Sequence, residues 1–591
     1  MDMKRWAFLC LIPLLLVCSS CEDWFDEWFE NLLSGNENTE SYVDSPVDPV
    51  VPDTAIEDPF ELEDDEDNIA NSDFDCTISI VYSAAGATVT GDENGIVTVS
   101  GNAVTVNNTG GKKIRYELSG SAADGYFKIY GEKKQAIVLK DLDLTNPNGA
   151  AINNQNKKRT FVVLQGSNKL ADGKKYTATP EGEDEKAAFF SEAQLIFSGN
   201  GSLTVTATGK AGITSDDYVR ILDGPTISIN SAGGHGLRGK DAVVVGGGKL
   251  DITVSKKGKK AISTDGTARF DGGSTTLTVT GGVDDSDLTD LSGSSGVKAD
   301  AAFVMNGGSL TITNSGQGGK GVSGDAAGLI AGGTLDITVT GTNYEVTGAD
   351  AVGLEDTTAS AKGIKFDGKL VITGGTVNVS AKSHEAIEAK GDMVITGGTI
   401  YATSSDDAIN SGGNMIVDGG RICALSTGND GLDANGDCYI QGGLVYVSSA
   451  GGAEVGIDAN TEEGHTLYVI GGTIISIGGL ERGSHLSQAC YSASWSRDSW
   501  YALYSGDTVA FVFKTPSSGA SGMVVSTAGT PALKSGVTPS GGTAIFGGMG
   551  YDGASVSGGS KVSLSAYSSG SAMGGPGGPG DMGGPGGGRR W

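Results

Sequence analysis

Glu385-Ala386-Ile387-Glu388 is followed by Met393-Val394-Ile395-Thr396-Gly397-Gly398-Thr399-Ile400. The pattern returns as Asp407-Ala408-Ile409-Asn410 with Met415-Ile416-Val417-Asp418-Gly419-Gly420-Arg421-Ile422. It returns again as Asp430-Gly431-Leu432-Asp433 with Cys438-Tyr439-Ile440-Gln441-Gly442-Gly443-Leu444-Val445. The step is 22 or 23 residues. Self-similarity at this period marks a solenoid. Short apolar runs closed by Gly or polar residues make it a β solenoid. A β-propeller is the alternative, but its blades need about 40 residues or more.

Outward from this stretch, a small residue before an aliphatic one recurs at Ala188, Gly212, Gly236, Ala261, Gly296, Gly321, Gly363, Ala386, Ala408, Gly431 and Gly456. Two steps are longer and carry insertions around Val283–Asp287 and Tyr344–Val346. The expected fold is all-β: a right-handed, single-stranded parallel β-helix of about eleven coils with β-rich caps at both ends. Only 7% of residues are aromatic, against 96 Gly. That suits a narrow interior filled layer by layer with Val, Ile and Leu.

The ends read differently. Lys4, Arg5 and the apolar run Phe8–Val17 form a signal too short to span a bilayer. Cys18-Ser19-Ser20-Cys21 resembles a lipobox, which makes Cys21 the lipidated first residue of an outer-membrane lipoprotein; an ordinary secretory signal cut near Ser20 is the alternative. Glu22-Asp23 and Asp26-Glu27 resemble tags that send lipoproteins to the outer cell surface. Trp24-Phe25-Asp26-Glu27-Trp28-Phe29 is a patch able to rest on lipid. Residues 22–70 hold no Lys or Arg and end in Glu61-Leu62-Glu63-Asp64-Asp65-Glu66-Asp67, which reads as a disordered, solvated tether. The expected organisation is a signal over 1–21, a tether over 22–70, an N-terminal cap with first coils over 71–186, and regular helix over 187–479. A C-terminal β cap over 480–568 and a disordered Gly/Pro tail over 569–591 complete it. The net charge of −30 argues against nucleic acid. Cys76, Cys423, Cys438 and Cys490 lack metal or disulfide spacing and read as ordinary thiols.

Lys113-Ile114-Arg115-Tyr116-Glu117-Leu118-Ser119-Gly120 is followed by Ala136–Thr145, by Gly149-Ala150-Ala151-Ile152 and by Gly166–Gly173. This order resembles a bacterial carbohydrate-binding domain family, typified by a clostridial cell-surface protein, with a pectate-lyase-like β-helix. The resemblance runs through Gly479 and more loosely through the terminal cap. It implies a right-handed β-helix, bound calcium, and affinity for plant cell-wall polysaccharide, whether acidic and pectin-like or cellulose-like. It does not imply catalysis.

Equivalent residues of successive coils stack about 4.8 Å apart. Aligned on the small-aliphatic pair, three columns collect Glu385, Asp407 and Asp430; Glu388, Asn410, Asp433 and Asp458; and Asp406 and Asn429. Like charges this close repel unless neutralised. Ca²⁺ takes six to eight oxygens at about 2.4 Å, so ligands from neighbouring coils can share an ion. A solvated acidic turn is the plainer reading. A lyase would need a Lys or Arg base beside the ion, with Lys362, Lys365, Lys390 and Arg421 as candidates; such lysines are usually ion-pair partners. Paired carboxylates also fit a glycosidase, but with so many acids that signal is non-specific. A structural surface protein or adhesin is the third class. For glycan stacking, Tyr401 and Tyr446 are expected to point outward on one column, two coils apart, with Arg421 between them.

Overall fold

The computed structural model describes residues 42–354 and 357–570. It is a parallel β-solenoid of about 15 turns. A regular coil carries three short strands. In one coil they are Ile387–Ala389 on the first wall, Met393–Ile395 on the second and Thr399–Ser404 on the third. Each pairs in parallel with the coils before and after, as in Ile387↔Ile409, Val394↔Ile416 and Ile400↔Ile422. Aliphatic residues face inward and are fully buried, for example Ile387, Ile395 and Ile400.

The sequence period undercounts the coils. The inward column of the first wall begins at Val104 and runs through Phe127 and Ile152 before Phe189. It ends at Leu480, bridged to Ile457. Phe127 follows Tyr126, so the small-residue signature is missing there. Gly479-Leu480-Glu481 keeps it and is one more rung.

The Gly-Gly pairs stack on each other at one edge, and each glycine has its own reason. A Cβ on Gly397 would sit 2.3 Å from the carbonyl oxygen of Thr373 on the coil below. Gly398 has φ +85°, a region that L side chains rarely adopt.

The tether expectation is overturned over residues 42–70. This segment lies along the second wall as a strap. Asp44 N donates to Leu486 O at 2.8 Å, Val50 N to Gln441 Oε1 at 2.9 Å, and Lys369 Nζ to Asp53 Oδ2 at 2.8 Å. Thr267 Oγ1 donates to Asp58 Oδ1 at 2.6 Å, and Phe60 packs on Tyr218 with ring centroids 5.3 Å apart. The strap therefore runs from the last coils back to the first. Its acidic end locks there. Asp67, 1% exposed, accepts from Tyr218 Oη at 2.6 Å and pairs with Arg159 and Arg220, both at 3.0 Å. Glu63 also pairs with Arg159, and Asp64 with Arg220. The segment orders because the solenoid supplies what it lacks by itself: apolar surface and positive charge. The outward column under it reads Phe161, Ile196, Arg220, Val244, Arg269, Val304, Leu329, Val371, Val394, Ile416. A strand apolar on both faces is one that is covered on both.

At the other end a six-stranded antiparallel sheet, from Trp500–Ser505 to Ser555–Val562, forms the C-terminal cap. The four described cysteines are free. No helix among the described residues is long and apolar enough to cross a membrane. Cys21, the signal, the Trp24–Phe29 patch and residues 571–591 lie outside the described residues.

Candidate functional site

The acidic columns assemble on the outward side of the first wall, in the expected register. Glu388, Asn410 and Asp433 are consecutive strand partners. Asp458 and Glu481 extend the line, since Ile457 bridges Leu432 on one side and Leu480 on the other. Glu481 was missed because the ladder was ended at Gly456, although the Gly479-Leu480 pair signals it.

The structure divides these residues into two sets. Lys362 sits between Glu385 and Glu388 at 3.1 and 2.7 Å, and His384 bridges Glu385 and Asp406. Burial raises the pKa of Glu385, but the His384 hydrogen bond and the Lys362 charge outweigh it and hold it at about 2. These carboxylates already have countercharge from Lys362 and His384, and one ligand atom each from His384, Glu385 and Asp406 lie within 4.8 Å of one another.

The next coils differ. Asp407, Asp430, Asp433 and Asp458 have no Lys, Arg or His within ion-pair distance among the described residues. Asp430 N donates to Asp407 Oδ1 at 3.0 Å, and Val455 N to Asp430 Oδ1 at 2.6 Å. Asn410 Nδ2 donates to Asp433 Oδ2 at 2.6 Å, and Asn429 Nδ2 to Asp406 Oδ1 at 3.2 Å. Burial, with the charges of Asp433 and Glu454, pushes Asp430 up to about 8. Burial and the same crowding push Asp407 and Asp458 well above the carboxylate range. One oxygen each from Asp430, Asp433 and Asp458 lie within 4.8 Å of one another. Two oxygens bound to one Ca²⁺ at about 2.4 Å are at most about 4.8 Å apart, so this donor set fits the ion.

The expected glycan platform is not a free surface. Tyr401 and Tyr446 do point outward on one column, two coils apart, with Cys423 between them. The cap covers all three. Tyr446 is fully buried and donates from Oη to Lys514 O at 2.8 Å. Tyr401 packs against Phe546, and Arg421 pairs with Asp552 at 2.6 Å. The signal was in the column itself. It runs Thr204, Ser228, Asp251, Thr276, Thr311, Asp336, Asn378, then turns to Tyr401, Cys423, Tyr446 and Ile475 where the cap begins.

The candidate bases are also engaged. Lys365 pairs with Asp367, and Lys390 with Asp367 at 3.3 Å. The Glu385 and Glu388 charges outweigh burial and raise Lys362, keeping it protonated.

Residues 100–408, more than half of the chain, match the family described as carbohydrate-binding domain-containing protein. The chain belongs to this family. Among solved structures, the chain is similar to the polysaccharide lyase-like protein from C. thermocellum, solved as a gadolinium derivative. The identity is 21% and the TM-score 0.35, over 44% of this chain and 97% of that one. No curated protein matches the chain.

Proposed function

We propose that this protein binds acidic or cellulose-like polysaccharide at the cell surface with the help of calcium held on the first wall, and does not cleave it. The observation that carries the calcium reading is the set of buried and half-buried carboxylates without a cation. Asp430, Asp433 and Asp458 would hold the ion, with Asp407 beside them. Bound there, calcium supplies positive charge to which glycan oxygens can ligate, and offsets repulsion between stacked acids. Family membership supports polysaccharide as the partner. The non-catalytic reading rests on Lys362, Lys365, Lys390 and Arg421. Each is spent in an ion pair, so none is free to take a proton beside the acidic cluster.

The same reading anchors the mature chain to the outer membrane through Cys21, exposed at the cell surface. Asp44, near the upstream end of the described strap, lies beside Leu486 on the last coil. Loss of palmitate labelling in Cys21→Ala tests the anchor.

The test of function is retention of the full chain on polygalacturonate and on insoluble cellulose, with calcium and with EDTA, while unsaturated product is followed by absorbance. Retention that calcium strengthens and EDTA weakens, without product, is expected. Unsaturated product would make the protein a lyase. No retention on either polymer would overturn the reading.

A further inference from the structure

The first wall changes sign along its length. One outward column reads Arg238, Ser263, Lys298, Ser323, Lys365 on successive coils, then Glu388, Asn410, Asp433. The column beside it reads Lys260, Ser295, Lys320, with Lys362 on the following coil, and then turns acidic at Glu385. Both columns flip at the same step, between Ile364–Phe366 and Ile387–Ala389.

The basic half has its own unbalanced charges. Arg238 pairs with Asp265 at 2.7 Å, and Lys298 with Asp300 at 3.0 Å and with Asp325. Lys260 and Lys320 have no carboxylate within ion-pair distance among the described residues. Lys260 Nζ donates only to Gly258 O at 2.9 Å and Ser292 Oγ at 3.1 Å. The turn before it reads Lys256-Lys257-Gly258-Lys259-Lys260, a concentration of lysine in a chain of net charge −30. His235, half-buried behind, accepts Lys260 N at 3.1 Å through Nδ1; it adds no negative charge. Burial and neighbouring cations push both lysines down to about 8.

A second, independent observation falls on the same coils. Both insertions that interrupt the regular step meet here. Tyr344 Oη reaches Asp285 Oδ2 at 3.3 Å, Asp284 bridges Ser292, and a Cβ on Gly293 would lie 3.6 Å from Lys320 Nζ. In repeat proteins, insertions of this kind gather on the binding face. They form a lip beside Lys260 and Lys320.

We propose that the basic half of the first wall, centred on Lys260 and Lys320, is an anion subsite for the carboxylate groups of a uronate-containing polysaccharide, an inference that rests on the polysaccharide-binding reading above. Cations on one column recur every second coil, about 9.6 Å, close to the repeat of two sugars in an extended chain. A polyuronate lying along this wall meets ammonium groups directly on one half and the carboxylate-held cation on the other.

The test measures binding of the full chain to polygalacturonate and to its fully methyl-esterified form, in EDTA and in calcium. The double variant Lys260→Gln with Lys320→Gln should bind polygalacturonate about tenfold to a hundredfold more weakly in EDTA, the loss of charge-assisted contacts. Its melting temperature should not fall, because the change removes two like charges. The reciprocal variant Asp265→Asn with Asp325→Asn frees Arg238 and Lys298 and should tighten binding several-fold. Polygalacturonate binding unchanged in both variants would overturn the subsite and leave polysaccharide binding standing. So would wild type that binds only the methyl ester. Wild type that binds neither chain would overturn the subsite and confine the polysaccharide reading to cellulose-like chains.

Discussion

The second wall and the first wall are built from the same repeat and have opposite fates. On the second, the outward column is apolar with a few arginines, and the chain covers it with its own strap. On the first, the outward column from Arg238 to Asp433 is polar, its charged residues interspersed with Ser and Asn, and several charged groups on this wall have no countercharge among the described residues. Apolar outward residues in a solenoid therefore report cover, and charged ones without partners report something the chain does not supply. The third wall obeys the same rule within one column, polar from Thr204 to Asn378 and apolar from Tyr401 onward, where the cap sits.

The sharpest way to break this comparison is to unlock the strap. Asp67→Ala leaves Arg159 and Arg220 without their shared buried partner, and losing one member of a buried ion pair costs about 3–5 kcal/mol. Exposed Glu57 makes no such contact, so Glu57→Ala should cost nothing measurable. Hydrogen exchange across residues 42–70 and over the second-wall strands should rise in the first variant only. Equal protection in both would return the segment to a tether.

The next effect belongs to calcium on the first wall. At about 100-fold excess over Kd, an ion that binds only the folded state adds about 2.7 kcal/mol. Asp430→Asn with Asp433→Asn should remove most of the rise in melting temperature produced by calcium. Asp265→Asn with Asp325→Asn should keep it, since those aspartates answer Arg238 and Lys298. Wild type that melts at the same temperature in EDTA and in calcium would reduce the acidic ladder to a solvated face.

The two halves of the first wall should also respond to pH with opposite signs. Asp430 is raised to about 8 in the folded state, above its unfolded value, so the folded protein holds the extra proton. Without calcium, stability should fall as pH rises from about 4 to 8. Lys260 and Lys320 are lowered to about 8, so there the unfolded chain holds the extra protons. Their contribution should improve stability as pH rises from about 8 to 10.4. Melting curves of the two double variants, Asp430→Asn with Asp433→Asn and Lys260→Gln with Lys320→Gln, should each flatten one limb. Unchanged limbs would mean the charges are screened.

The smallest effect lies at the cap. Tyr446→Phe removes the hydrogen bond to Lys514 O and should cost about 1–2 kcal/mol. Polysaccharide binding should not change. Weaker binding at unchanged stability would restore Tyr446 to the glycan.

The period of 22 or 23 residues, by itself, determined the parallel β-solenoid, the stacking of the Gly-Gly edge and the register of Glu388, Asn410 and Asp433. Those features depend on neighbours one coil away, and a repeat writes that distance into the sequence. It also carried the outward direction of Tyr401 and Tyr446, because strand alternation is local. What lies outside a column is not local. Asp67 meets Arg159 and Arg220 across 92 and 153 residues, and Tyr446 meets Lys514 across 68. An acidic, low-complexity stretch looks unfoldable by its own composition, and only the tertiary structure shows the positive, apolar wall that orders it. Likewise, which acids of the ladder are neutralised was decided by where Lys362 and His384 place their charge. Stacked identical positions share a column, but their long side chains choose partners in three dimensions.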